Sequence, residues 1–196
     1  MTPSRESLIR IFSYYRDAEI RGAGLLMKMM NRVDDGATQV LFSRHIDDET
    51  HHAWLWTKRI KDEGGVPVPV PDGYQRRLGK ALGIPGNLFD LFALTVVVEE
   101  RAAKRYAEHI ASPLCDEKTH AVLEQLSRDE KWHIAWMQDW LFKRAATEGK
   151  EERVRATLER YRRLEREVFE EMKDMERGWI GFSFSDEEAT RAAADG

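Results

Sequence analysis

The chain has 196 residues, 42% apolar and 34% charged, and its 31 Lys and Arg against 35 Asp and Glu leave a formal net charge of −4. That length suits one ordinary domain, and the near-balance of charge argues against a nucleic-acid binder. A single cysteine excludes a disulfide scaffold or a Cys-x-x-Cys site and fits a reducing, cytoplasmic compartment, while no apolar run reaches the roughly 20 residues of a membrane span and the start, Met1-Thr2-Pro3-Ser4-Arg5-Glu6, lacks a secretory pattern.

Helical periodicity predicts five segments. The first opens at Thr2, with Pro3 in the first helical position, and runs to about Asn31. The second follows Val33-Asp34-Asp35-Gly36 and stops at Gly64-Gly65. Residues 64–87 carry alternating Val and Pro, Asp72-Gly73 and Ile84-Pro85-Gly86, and read as a long punctuated connection with one short helical turn around Arg76–Leu82. The third helix is capped by Asn87 and ends before Pro113. The fourth runs from about Asp116 to about Ala146, and Gly149 separates it from a fifth, strongly charged helix from about Lys150 to Arg177.

On that fifth helix Val154, Leu158, Tyr161, Val168, Met172 and Met175 recur at helical spacing, so it should pack on the bundle or on a partner such as a second copy of the chain. Its Arg153, Arg155, Arg160, Arg162, Arg163 and Arg166 are interleaved with glutamates and read as a solvated face. Trp179, Phe182 and Phe184 begin the final segment and are expected to dock, there or at a homodimer contact. Two short connections flanking one long crossover predict an all-α, antiparallel four-helix bundle whose second and third helices run parallel, plus a fifth C-terminal helix. The expected organisation is one domain over residues 1–178, with the core bundle at 3–146, the fifth helix at 150–177 and a tail at 179–196.

Each bundle helix presents an apolar stripe that is broken by a carboxylate. The stripes are Leu8, Phe12, Tyr15, Glu19, Gly22, Leu26 and Met29; Thr38, Phe42, His45, Glu49, His52 and Trp56; Leu88, Phe92, Thr95, Glu99, Ala102 and Tyr106; and Leu123, Leu126, Glu130, His133, Met137 and Trp140. Unpaired buried carboxylates are costly, and four together repel one another. Two divalent cations would cancel their charge, with His52 and His133 completing the donor set; Glu and His three apart share one helical face. Chance placement of 21 Glu and 6 His in 196 residues supplies less than one Glu-x-x-His match, yet three occur, the third being Glu117-x-x-His120. Glu19 and Glu49 are 30 residues apart and Glu99 and Glu130 are 31 apart, so the two halves repeat.

Several positions admit two readings. Glu19 can instead be a solvated partner of Arg16 or Arg21. A second stripe on the third helix, Phe89, Ala93, Val96, Glu100, Ala103 and Ala107, offers Glu100 in place of Glu99. His45, one turn before Glu49, reads as a packing histidine or one that supports a ligand from outside, rather than as a ligand. Asp48 and Asp129 either orient the imidazoles across the bundle or are plain surface acids. Tyr15 and Tyr106, each one turn from a candidate ligand, are core residues or catalytic groups that hydrogen-bond bound oxygen or relay an electron. Trp54, Trp56, Trp132, Trp136 and Trp140 cluster beside the motifs as core, interface or redox relays.

The pattern over about residues 5–145 resembles the ferritin-like di-iron carboxylate superfamily, and so implies a ferritin-like bundle. Thr95-Val96-Val97-Val98-Glu99-Glu100 with Tyr106 looks like the third-helix motif of the demethoxyubiquinone hydroxylases, which favours Glu99. The tRNA-modifying hydroxylases and the rubrerythrins are similar in ligand pattern only, and one cysteine forbids a rubredoxin site. The charged fifth helix departs from all three, and the apolar membrane-binding surface of a quinone hydroxylase is not evident. The resemblance implies two iron ions, with manganese as the alternative in either position. Glu49 and Glu130 would bridge, Glu19 and Glu99 would be terminal, and His52 and His133 would serve one metal each. The expected activity is oxygenation or oxidation of a small organic substrate with O2 or H2O2 and an electron-donor protein. Iron or peroxide handling, as a ferroxidase or peroxidase, and a helical scaffold with a vestigial site are the alternatives. An apolar, closed cavity lined by Phe42, Phe92 and Leu126 would favour the oxygenase, and an open polar channel to the irons would favour iron handling.

Overall fold

The computed structural model describes residues 3–83 and 85–181, and among them it contains six α-helices and no strand. These are α1 (Arg5–Met30), α2 (Gly36–Asp62), α3 (Tyr74–Leu82), α4 (Leu88–Ala111), α5 (Glu117–Glu148) and α6 (Glu151–Ile180). Side-chain caps set four of the starts. Ser4 Oγ accepts from the Ser7 N–H at 3.1 Å, Asp35 from Ala37 and Thr38 at 3.2 and 3.1 Å, Asn87 from Asp90 at 3.0 Å, and Asp116 from Thr119 at 2.9 Å. Each such cap contributes about 1 kcal/mol. The first corrects the sequence expectation: because Ser4 supplies the cap, Pro3 lies outside α1 rather than at its first position. At the other end of α5, Gly149 takes a left-handed conformation (φ +62°) that a residue with a Cβ resists, and the chain turns there into α6.

The expected short turn in the long connection is a full helix, α3, with Tyr74 and Leu78 buried. α1 packs chiefly along α2 and α4 along α5, while α2 also meets α5. The core between them is aromatic: Phe12 stacks on Trp56 at 5.6 Å, Phe42 meets Phe92 and Trp136 edge-on at 5.5 and 5.2 Å, and Phe92 lies flat on Trp140 at 3.8 Å. Arg59 is buried at the C-terminal end of α2 and ties that end to the start of α5 through Asp116 at 2.9 Å and Thr119 at 3.1 Å.

α6 packs on α4 and α3 within the same chain. Val154, Leu158, Tyr161, Val168 and Met172 are buried as the spacing implied, but Met175 is 38% exposed and Glu176 turns inward instead. Charge pairs add to this interface. Arg101 meets Glu165 with two bonds of 2.6 and 2.8 Å, Arg162 meets Glu100 at 2.8 and 2.5 Å, and Arg105 meets Glu176 at 3.2 Å. The remaining arginines of the basic stretch, 153, 155, 160, 163 and 166, are exposed. Trp179 lies in the last turn of α6, where its carbonyl accepts from Arg10 at 2.8 Å; Phe182 and Phe184 lie outside the described residues. No described helix is long and apolar enough to cross a membrane.

Candidate metal centre

Glu19, Glu49, Glu99 and Glu130 are all buried, as are His45, His52 and His133. Four different helices deliver them. In each helix the neighbours at three- and four-residue spacing include buried core side chains, Tyr15, Ala53, Val96 and Leu126, so burying the stripe carries the carboxylate inward. The ambiguity on α4 is resolved by α6: Glu100 turns outward to Arg162, which leaves Glu99 to face the centre. Arg21 bonds Asp17 at 2.6 Å and Arg16 bonds Thr57 at 2.9 Å, so neither is the partner of Glu19. The third motif is not part of the cluster. Glu117 is exposed, and His120 is 4.0 Å from Glu124 on its own helix.

Two overlapping donor groups result among the described residues. One contains Glu19, Glu49, His52 and Glu130, the other His45, Glu49, Glu99 and His133, and each can present donor atoms within 4.8 Å of one another. Glu49 belongs to both. His52 Nδ1 lies 3.4 Å from Glu19 and 3.8 Å from Glu130 Oε1, while Glu130 Oε2 is 3.2 Å from His133 Nδ1, so Glu130 reaches towards both imidazoles.

The outer nitrogens of the two imidazoles are held in a crossed arrangement. His52 on α2 bonds Asp129 of α5 at 3.1 Å, and His133 on α5 bonds Asp48 of α2 at 3.3 Å. The Asp-Glu-x-x-His repeat therefore orients imidazoles. A carboxylate at Nε2–H fixes the tautomer that leaves Nδ1 as a lone-pair donor, which is what a metal-binding histidine needs. The fit to cations also shows in what lacks a partner: His52 Nδ1 and Glu49 Oε1 are buried without a hydrogen bond.

The electrostatics agree. Burial, together with repulsion from Glu99 and Glu19, pushes Glu49 well above the usual carboxylate range, and the same causes act on Glu130. Burial alone would depress His52, but Glu19 and Asp129 hold it up at about 9. Burial and the neighbouring imidazoles push His133 far down. Glu99 is raised by burial but ends below its ordinary value because His45 stabilises its anion. Without cations the cluster thus retains protons that divalent ions would displace.

His45, read from its stripe as a packing or supporting histidine, lies beside Glu49, Glu99 and His133. Its ring stacks on His133 at 3.6 Å, and its Nε2 is 3.4 Å from Glu49 and 3.5 Å from Glu99. Trp136 Nε1–H donates to its Nδ1 at 3.3 Å, so in the neutral ring the proton sits on Nε2 and points at the two carboxylates. The signal was present in His45-x-x-x-Glu49-x-x-His52, which lies on one helical face.

Tyr106 donates a short hydrogen bond to Glu19, and burial with the charges of Glu19 and Glu130 holds its phenol well above the ordinary range. Tyr15 is one ring further out, 5.3 Å from Tyr106 between centroids, with its hydroxyl 3.2 Å from His109 Nδ1. Of the tryptophans, Trp56 and Trp136 are core, Trp132 carries the Arg44 guanidinium at 3.7 Å, and Trp54 is half exposed. Phe42, Phe92 and Leu126 are fully buried, with the first two rings in contact. A cavity beside the centre lies between α1, α3 and α4, with Leu25, Leu91, Leu94 and Val98 in its wall.

No family model and no solved structure matches the chain. Over 97 residues the chain is 31% identical to the 3-demethoxyubiquinol 3-hydroxylase of Alcanivorax borkumensis. That likeness covers 47% of this chain and 43% of the hydroxylase, less than half of each.

Proposed function

We propose that the protein is a ferritin-like, non-haem di-metal oxygenase or oxidase acting on a small organic substrate. Glu19, Glu49, His52, Glu99, Glu130 and His133 hold two iron ions, with manganese as the alternative occupant. In this reading α1, α2, α4 and α5 form the bundle, residues 63–87 the crossover, and residues 1–178 one domain. The observation that carries it is the sharing of Glu49 by two overlapping groups of buried donors, some of whose atoms have no other partner. Two divalent cations would offset the four carboxylates, where a scaffold without metal would bear their repulsion uncompensated.

A pair of redox-active metal ions supplies reductive activation of dioxygen when bound. In a hydroxylation one oxygen atom of O2 enters a C–H bond and the other leaves as water, with two electrons and two protons from an external donor. The chain's own residues do the rest. Asp48 and Asp129 hold the imidazoles in orientation. Tyr106 keeps a proton at its hydroxyl, one hydrogen bond from the centre through Glu19. The leucine and valine side chains of the adjoining cavity give that side an apolar wall. The apolar cavity and the partial likeness to a hydroxylase favour an organic substrate over iron or peroxide handling.

Protein produced in iron-rich medium should carry close to two metal ions per chain, and Glu130→Ala and His133→Ala should lose them. Less than about half an equivalent of any transition metal would overturn the proposal. Metal retained by both variants would overturn the ligand assignment.

A further inference from the structure

The cavity between α1, α3 and α4 has a volume of about 370 Å³ and a polarity of its own. Its wall is apolar, formed mainly by Leu25, Leu78, Leu91, Leu94 and Val98. Its inner end reaches the candidate centre twice: Glu99 lines it, and Gly22 lines it where the Glu49 carboxylate rests against that glycine. Its outer side carries Arg21, Lys28 and Arg76. Arg21 is paired with Asp17, but Lys28 and Arg76 are exposed and form no ion pair among the described residues. Glu99, deep at the inner end, is the one acidic side chain among the described lining residues, although the chain as a whole is negative.

We propose that this cavity binds an amphipathic organic anion, an acyl-chain carboxylate with its head between Lys28 and Arg76 and its chain end directed at the metal centre. This names the substrate class of the oxygenase above and rests on that reading. The direction follows from charge. The two unpaired cations, Lys28 and Arg76, attract an anionic head to the mouth, and no basic side chain lines the inner end. The leucine and valine wall offers a head no hydrogen bond and suits a hydrocarbon chain. At roughly 30 Å³ per water-sized group the space holds about twelve such groups, the size of a medium-length acyl chain.

The test titrates decanoate, 1-decanol and decyltrimethylammonium, one chain length with three heads, into metal-free and metal-loaded protein by calorimetry. Decanoate should bind both forms about tenfold or more tightly than the ammonium does. The double variant Lys28→Glu/Arg76→Glu should weaken decanoate by at least about tenfold at unchanged metal content. Gly24→Leu should abolish binding of decanoate and decanol alike, because Gly24 lines the cavity and a Cβ there meets nothing within 4 Å. Equal affinity for the ammonium, or indifference to charge reversal, would overturn the proposal. So would binding to anionic lipid vesicles without binding of monomeric decanoate. Decanoate binding by a protein that takes up no metal would sink the oxygenase and leave the cavity's ligand class standing. Metal uptake without decanoate binding would do the reverse.

Discussion

Replacing Gly22 by alanine separates the stability of α1 from the geometry of the centre. Glycine inside a helix costs roughly 0.5–1 kcal/mol relative to alanine, so on backbone grounds the substitution stabilises. A Cβ at Gly22, however, would collide with Glu49 Oε2 and stand 3.2 Å from Glu49 Cδ. The obstacle is the end of a flexible side chain, so the fold survives and the carboxylate common to both donor groups has to move. Gly24 provides the control, since its Cβ would meet nothing. For a chain of this size 1 kcal/mol corresponds to about 2–4 °C, so Gly24→Ala should raise Tm by about 1–4 °C with or without metal. Gly22→Ala should match that gain only when metal-free. Disturbing a carboxylate within the centre should cost at least the 10–100-fold in metal affinity typical of lost outer partners, or about 1.4–2.8 kcal/mol. That removes about 3–11 °C from the metal-induced rise in Tm. Calorimetry of both forms, with a metal titration, reads the effect. If Gly22→Ala and Gly24→Ala show the same metal affinity and the same metal-induced shift, the placement of Glu49 between the two donor groups is wrong.

Asp48→Asn and Asp129→Asn should each lower metal affinity by about 10–100-fold while the helical content holds, and unchanged metal content in both would show that the crossed bonds do not orient ligands. Metal-free protein should lose Tm as pH rises from about 6.5 to about 9. Glu49, Glu130 and His52 all have pKa values raised by folding, so their stabilisation is complete at low pH and disappears as pH climbs through the folded values. His133 and His109, which are lowered, add stability until pH passes their unfolded value of about 6.5, so they offset part of the loss at the start of that window and none of it above about pH 7.5. Metal binding strengthens over the same range, so the gap between the two forms should widen, and a metal-free Tm that rises from about pH 6.5 to about 9 would refute the assignment. Arg101→Met strands Glu165 in the α4–α6 interface and should cost about 3–5 kcal/mol in chemical denaturation, most of it recovered by adding Glu165→Leu. An unchanged midpoint would mean that α6 is not held there.

What could be read in the sequence was whatever repeats at helical spacing. The stripes located Glu19, Glu49, Glu99 and Glu130 because a carboxylate among leucines and phenylalanines is conspicuous, and the Asn87 and Asp116 caps marked the starts of α4 and α5. Contacts between distant elements were not legible. The stripes of α4 left Glu99 and Glu100 open, the motif likeness favoured Glu99, and only Arg162 on α6 supplies the partner that turns Glu100 outward. The role of His45 depended on Trp136, 91 residues away. At Phe42 and Phe92, where a closed cavity would have favoured the oxygenase, the two rings pack edge-on, while the glycines of α1 and the short α3 leave space on the other side. Ser4 takes the cap because its hydroxyl accepts from the Ser7 N–H, so α1 begins after Pro3.

The crossed bonds between His52 and Asp129 and between His133 and Asp48 also key two helices to each other mechanically. Each helix contributes one carboxylate and one imidazole, three or four residues apart, so the two contacts act as a paired latch across α2 and α5. Sliding either helix by one turn, about 5.4 Å, would open both latches at once. No intermediate register restores one without the other. Shear applied anywhere along α5 is therefore felt equally at both imidazoles, and the alignment of the helices and the aim of the donors become a single mechanical quantity.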